Sequence, residues 1–308
     1  MAEATISPSR FGRRLVMIEL GLKIDNRYRL TGRIAHGGMA DVYEAFDVVL
    51  KKDVALKIMR EDMMDDPKNI ERFEHECIFG ASLNNPSIVR VFSHGKVEGR
   101  PYMANEYVSG RTLRDKLNLA SGHNLSPREA CEVMLQLTSG VSYIHEHGLI
   151  HNDLKPDNLF YLVDGSVKIA DFGIASKIGE KSKEDAVTGT VHYCAPEILM
   201  GQAPSVASDI YSMGIIFFEL LTGSVPFDAP TTEDVAIAHI KRRFPEPSKI
   251  FQSIPKSLDK IIIKACRKRP EERYANAFLM SEDIRKAIGD KENFKEKKGF
   301  IARLFGFK

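Results

Sequence analysis

One stretch of the chain concentrates groups able to move a phosphoryl group: His151-Asn152-Asp153-Leu154-Lys155-Pro156-Asp157-Asn158. A carboxylate can orient an attacking hydroxyl, an ammonium can neutralise the transferred phosphoryl, and an oxygen ligand can hold a divalent cation. The same residue types also make an ordinary polar surface turn closed by an Asx-type hydrogen bond. That plainer account leaves the next segment unexplained. A short apolar strand, Val167 to Ala170, delivers Asp171-Phe172-Gly173 and with it a second carboxylate suited to a hard cation.

Nearer the N-terminus, Val54-Ala55-Leu56-Lys57 places a lysine in an otherwise apolar run. Burying a lysine is costly without an anion, and Glu76 on the following helical stretch is the candidate partner. A strand-end lysine reaching out to solvent is the alternative. Ala35-His36-Gly37-Gly38-Met39-Ala40-Asp41-Val42 lies between two strand-like runs, where small residues let backbone N–H groups approach phosphates closely. A plain Gly-Gly hairpin has the same composition.

The elements that must position these groups follow from periodicity. Short alternating runs predict strands at Tyr28–Ile34, Asp41–Asp47, Asp53–Met59, Ile88–Ser93 and Tyr102–Tyr107, interrupted by one helix from about Asn69 to Leu83. After Gly110 the pattern turns helical, at Leu113–Leu119, Pro127–His147, Asp209–Thr222, Thr232–Arg242, Leu258–Cys266 and Ala275–Ile288. The expectation is an α+β chain in which a small antiparallel sheet precedes a larger, mostly helical part, joined near Tyr107 to Arg111.

Bulk composition narrows the function classes. The 308 residues carry 44 Lys plus Arg against 42 Asp plus Glu, so there is no net field to hold a nucleic acid. Cys77, Cys131, Cys194 and Cys266 form no C-x-x-C pair, which suits a reducing, cytoplasmic setting. The most apolar run, Ile215 to Leu221, is broken by Glu219 and reads as a core helix rather than a membrane span. Arg10, Arg13 and Arg14 precede Leu15 to Ile18, but Glu19 and Lys23 interrupt that stretch, so it does not read as a secretion leader.

Taken in order, the glycine-containing loop, Val54-Ala55-Leu56-Lys57, His151 to Asn158, Asp171-Phe172-Gly173 and Ala195-Pro196-Glu197 resemble a eukaryotic-type (Hanks-type) protein kinase over about residues 28 to 288. Within that family the chain is most similar to the bacterial serine/threonine kinases, through Gly37-Gly38-Met39, Glu106-Tyr107-Val108, Thr112-Leu113-Arg114 and Arg269-Pro270-Glu271-Glu272-Arg273-Tyr274. The resemblance implies a bilobal protein-kinase fold: a small lobe at about 26–107, a large lobe at about 111–288, an extension at 1–25 and a tail at 289–308. It implies transfer of the γ-phosphate of ATP to Ser or Thr hydroxyls of protein substrates, with Mg²⁺ as the metal and Mn²⁺ as an alternative. Asp153 would be the catalytic base, Lys155 would steady the γ-phosphate, and Asn158 and Asp171 would hold the metal. Lys57 would contact the α and β phosphates and pair with Glu76, and the Thr190 hydroxyl would bridge Asp153 and Lys155. Ile34, Ala35, His36, Gly37, Gly38, Val42, Ala55 and Leu159 would surround the nucleotide, with backbone atoms of Glu106 and Val108 meeting adenine. Asn105 would control access behind that hinge, where a polar residue is unusual. Glu197 would pair with Arg273, and Asp209 would anchor the loop carrying Asp153.

Three departures and rivals complete the reading. The first and third of the family's loop glycines are replaced by Ala35 and Ala40, which keeps small side chains but less freedom. Where relatives usually carry the arginine that reads an activation-segment phosphate, this chain has Asn152, which points to positioning of Asp153 without phosphorylation of residues such as Ser182 or Thr188. Residues 291–308 hold six basic and two acidic side chains, with Phe300, Ile301, Leu304, Phe305 and Phe307 on one face at helical spacing. That pattern fits peripheral contact with an anionic membrane surface at its inner face, or packing against the large lobe or a partner. A nucleotide-binding scaffold without transfer activity is disfavoured because Lys57, Asp153, Asn158 and Asp171 are all present. A small-molecule phosphotransferase is disfavoured by the Ala195-Pro196-Glu197 segment. Substrate identity and oligomeric state stay open at this level.

Overall fold

The computed structural model describes residues 20–173, 175–178 and 191–289. They fall into two compact units, one of residues 20–70 with 94–107 and one of residues 71–93 with 108–289. A six-stranded sheet is formed by β1 (Lys23–Ile24), β2 (Tyr28–His36), β3 (Ala40–Asp47), β4 (Lys52–Met59), β5 (Val91–Val97) and β6 (Arg100–Glu106), in the order β1-β2-β3-β4-β6-β5. Between β4 and β5 lies α1 (Pro67–Ser82). The strand expected at Ile88–Ser93 starts three residues later, at Val91, because Ile88 is buried elsewhere. It makes an isolated parallel bridge with Ile169 in the second unit.

Alternation along β4 sorts the sheet into two faces. Val54, Leu56 and Ile58 are buried at 1% exposure or less, and Ala104 and Tyr102 stand opposite Leu56 and Ile58 on that same face. Ala55 and Lys57 therefore occupy the other face. The register sets Lys57 opposite Val42 and Met103, and Ala55 opposite Glu44 and Asn105.

The second unit continues with β7 (Gly110–Thr112), α2 (Leu113–Leu119), α3 (Pro127–Glu146), β8 (Leu149–Ile150), β9 (Leu159–Leu162), β10 (Val167–Ile169) and β11 (Ser176–Lys177). It ends with α4 (Pro196–Leu199), α5 (Val206–Thr222), α6 (Thr232–Lys241), α7 (Pro247–Ile250), α8 (Lys256–Ala265) and α9 (Ala277–Gly289). Helix starts are set by local chemistry. The Thr112 hydroxyl accepts from the Asp115 N–H while the Thr112 N–H donates to the Asp115 carboxylate, a capping box that opens α2. Ser126 caps α3 with Pro127 in its first turn. A Ser205–Ser208 box starts α5 ahead of the Asp209 predicted from periodicity alone.

α5 is the central post of this unit, with every residue from Ser208 to Thr222 buried. It stops at Gly223, whose φ of +77° is the left-handed conformation that ends many helices. Among the described residues no helix is long and apolar enough to cross a membrane. The expected Glu197–Arg273 pair is bidentate, with Nη1 to Oε1 at 2.7 Å and Nη2 to Oε2 at 2.6 Å. Arg273 also donates to the carbonyls of Ala207 and Arg267, so α4, the start of α5 and the stretch before α9 share one buried cation.

Candidate active site

In the sheet unit, Val42, Ala55 and Lys57 project from one face, and Ala35 stands opposite Val42 in the β2–β3 register. The loop joining β2 and β3 is tight. A Cβ added at Gly37 would come within 2.8 Å of the Ala40 carbonyl, whereas one added at Gly38 would meet nothing within 4 Å. Glycine is thus required at the first position only. Ile34 is half exposed at the end of β2. His36 is engaged by its own surroundings: Nδ1 lies 2.5 Å from Asp41 Oδ1 and 2.7 Å from Arg33, and Nε2 lies 3.1 Å from Arg60. On the Lys57 face, Asn105 carries a buried Oδ1 that has no hydrogen-bond partner among the described residues. Glu106 stands opposite Val54 at the end of β6, and Val108 opens the second stretch of the helical unit.

In the helical unit, the loop after β8 is built on Asp209, a carboxylate of α5 only 1% exposed. The backbone N–H groups of His151 and Asn152 donate to Asp209 Oδ2 and Oδ1, each at 2.9 Å, and His145 Nε2 lies 2.8 Å from Oδ2. Burial works against ionisation of Asp209, but the His145 hydrogen bond, the neighbouring histidines and the His151 N–H outweigh it and hold the carboxyl below its ordinary value. Asn152 has a φ of +66°, a conformation that asparagine tolerates better than most residues. The His151 ring lies 4.9 Å from the Phe172 ring at a tilt of 53° and bridges onward, accepting from the Asp153 N–H at Nδ1 and donating from Nε2 to the Ala170 carbonyl.

The chemistry-bearing side chains then converge. Lys155 Nζ sits 3.0 and 2.7 Å from the two Asp153 carboxylate oxygens, all of them partly shielded from solvent. Asn158, 8% exposed, donates from Nδ2 to the Asp153 carbonyl and to Asp153 Oδ2, both at 2.8 Å. With its nitrogen so used, its amide oxygen is the end suited to a hard cation. Leu159, fully buried, opens β9, and the Asn158 carbonyl accepts the Ala170 N–H, which tethers this loop to the strand before Asp171. Asp171 is exposed with a φ of +66° and accepts from the Gly173 N–H. Buried Glu76 of α1 lies beside this turn, since a Cβ at Gly173 would meet Glu76 Oε2 at 3.6 Å and Asp171 Oδ1 at 3.2 Å.

Among the described residues no three His, Cys, Asp or Glu side chains form a ready metal cage. Asn158 and Asp171 instead fit an ion that takes few protein ligands and completes its shell with phosphate oxygens and water. The orphaned Asn105 oxygen and the Gly37 cradle fit a nucleotide in the same way. Thr190, Ser182, Thr188 and residues 291–308 lie outside the described residues.

Two features escaped the sequence reading. The Asn152 side chain donates to Ser176 Oγ at 3.0 Å, and Ser176 is itself paired with Ile150 between β11 and β8. Glu219, noted only as a break in an apolar run, accepts from Arg114 Nη1 at 2.6 Å and from the Tyr193 hydroxyl at 2.5 Å. Arg114 reaches Asp157 as well, at 3.4 Å. A carboxylate inside an otherwise apolar helix demands a cation, and that demand was the available signal.

Residues 28–284 match the protein kinase domain family. Serine/threonine-protein kinase PrkC of Bacillus subtilis is 37% identical over 281 residues, covering 91% of this chain and 43% of the relative. Serine/threonine-protein kinase PknB of Mycobacterium tuberculosis is 36% identical over 269 residues, covering 85% of this chain and 43% of the relative. The chain thus spans less than half the length of these relatives.

Asp209→Asn removes one acceptor and the charge that two N–H groups face. A carboxyl held below its ordinary value lends stability that is complete above about pH 4 and is lost as pH falls through the lower folded-state value. At neutral pH the variant is expected to be less stable by about 3 kcal/mol in urea unfolding. The gap from the parent protein should narrow as the pH is taken toward 3, and parallel acid limbs for the two proteins would contradict this assignment.

Proposed function

The chain belongs to the protein kinase family, and from that membership we propose that it transfers the γ-phosphate of ATP to serine and threonine hydroxyls of protein substrates. The observation that carries the reading is the contact of Lys155 Nζ with the Asp153 carboxylate at 2.7 Å, with Asn158 bonded to the same oxygen. In this proposal Asp153 orients the acceptor hydroxyl and takes up its proton. Lys155 spreads the charge of the transferring group, and the Thr190 hydroxyl bridges the two. A divalent ion, Mg²⁺ or Mn²⁺, held by Asn158 and Asp171, draws negative charge from the phosphates when bound. Lys57 meets the α and β phosphates, Glu76 orients it, and the nucleotide is lined by Ile34, Ala35, His36, Gly37, Gly38, Val42, Ala55 and Leu159. Backbone atoms of Glu106 and Val108 hold adenine. The names of the relatives, serine/threonine-protein kinases, and Lys155 at its place in the loop support Ser and Thr as acceptors.

Labelled ATP with Mg²⁺ should mark Ser and Thr, on this chain or an added protein. Asp153→Asn is expected to lower the rate about 10²- to 10⁴-fold. Absence of label with the parent protein would leave a scaffold that binds without transferring.

The start of the activation segment is held without a phosphate-reading cation. The neutral Asn152 amide bonds Ser176 Oγ, and β11 pairs with β8, so nothing at position 152 attracts a dianion. Replacing Ser182 and Thr188 together by alanine is therefore expected to change kcat on an added protein substrate less than about threefold, against the loss of orders of magnitude seen where ordering requires a new charge-assisted contact. A fall of a hundredfold would sink the idea.

Residues 291–308, basic with a phenylalanine-rich face, meet an anionic membrane surface in this proposal. The full chain should sediment with phosphatidylglycerol vesicles and not with phosphatidylcholine vesicles. A full-length variant with Phe300, Phe305 and Phe307 changed to Ser should lose most of that binding; undiminished binding would refute the assignment.

A further inference from the structure

Five buried side-chain polar atoms among the described residues have no hydrogen-bond partner, and Asn105 Oδ1 is the one on the Lys57 face of the sheet. A shielded amide oxygen without a donor is a cost to the folded protein. Its in-register neighbours on that face supply no side-chain donor. Ala55, directly opposite, is apolar, and Met103, two residues back on the same face, is a thioether with no hydrogen to give. The strand position also prevents escape, because Asn105 is held within β6 in register with Ala55 of β4.

We propose that Asn105 is a base-specificity residue: its Oδ1 accepts a hydrogen bond from the exocyclic amine of a 6-aminopurine, so the site selects ATP over GTP. This rests on the ATP-dependent reading above and deepens it. The exocyclic amine has two hydrogens. The backbone at Glu106, the next residue, accounts for one of them in that reading, and the other needs a second acceptor. A guanine presents an oxygen at the same ring position, so two acceptors would face each other with no proton between them. A site built to bond a donor rejects an analogue lacking it more strongly than an apolar pocket can, since the buried acceptor is left unpaired in the wrong complex. An apolar residue in place of Asn105 would close off space behind the base equally well but would not distinguish the two purines in this way.

The test measures equilibrium binding of ADP and GDP by calorimetry, with parallel thermal melts, on the full chain and on Asn105→Leu, a near-isosteric change that removes the acceptor. The parent protein should prefer ADP to GDP by about a hundredfold. In Asn105→Leu the ADP affinity should fall about tenfold while GDP affinity holds or rises, so the preference shrinks to about tenfold or less. The ligand-free variant should melt higher than the parent, because the orphaned oxygen is gone. Should Asn105→Leu fail to fold, N6-methyl-ADP on the parent protein reads the same contact: with one hydrogen replaced it should bind about tenfold more weakly than ADP. An ADP-to-GDP preference unchanged by the substitution, or N6-methyl-ADP binding as tightly as ADP, overturns the role of Asn105 while leaving the kinase reading intact. A parent protein that binds neither nucleotide overturns the nucleotide reading itself.

Discussion

The arrangement of the helical unit depends on one buried carboxylate accepting two consecutive backbone N–H groups. Asp209 is almost fully enclosed, and an ionised carboxylate there is tolerable only because donors surround it. Two successive N–H groups can point at one carboxylate only if the backbone turns back on itself, which is why Asn152 sits at a φ of +66°. Once that turn is made, the His151 ring faces the Ala170 carbonyl and the Asp153 N–H, and the direction of the Asp153 side chain is largely decided. The strand before Asp171 is drawn in by the same ring and by the Asn158 carbonyl. A residue of α5 thereby sets the relation between two loops that it does not itself adjoin in sequence.

The same rule governs the other buried charges. Glu197 with Arg273, and Glu219 with Arg114 and Tyr193, each join elements far apart in the chain through groups that would be severely penalised alone. Such pairs add less net stability than their short distances suggest, since desolvation offsets much of the attraction. Their effect is on specificity of arrangement: losing either partner exposes the other to the full penalty. Arg114 shows the balance directly. Burial opposes its charge, yet the Glu219 hydrogen bond and the neighbouring anions keep it ionised. Through Arg114, α2, Asp157 of the loop after β8 and Tyr193 ahead of α4 are held to α5.

Elements with strong periodicity and clear caps were legible in the sequence. α2 falls on its predicted span, and α3, α6 and α8 differ by a residue or two at their ends. The Ile88–Ser93 strand was misplaced because a short apolar run looks the same whether it pairs in a sheet or fills another unit's core. Within the site, the loop from His151 to Asn158 could be read because its residue types have few other uses in that density. His145 could not, since a lone histidine on a helix carries no sign of the carboxylate it will meet. The Asn152–Ser176 bond was hidden for a related reason: it joins residues 24 apart that only the β8–β11 pairing brings together.

In the proposal above, Asn152 alters regulation without altering architecture. The backbone at that position is needed in the left-handed region whatever the side chain, because Asp209 must be met by two N–H groups. Asparagine adopts that region at low cost, so its presence relieves strain that an arginine would carry. What the exchange alters is the kind of contact the side chain offers. An arginine would leave a desolvated cation waiting for a dianion, an interaction that is strong when phosphate arrives and unfavourable when it does not. An amide bonded to Ser176 is worth only about 1 kcal/mol, but it is present at all times and leaves no buried charge to be neutralised. The loop's geometry is therefore held by a small constant term rather than a large conditional one, and a conditional term is what a phosphorylation switch requires.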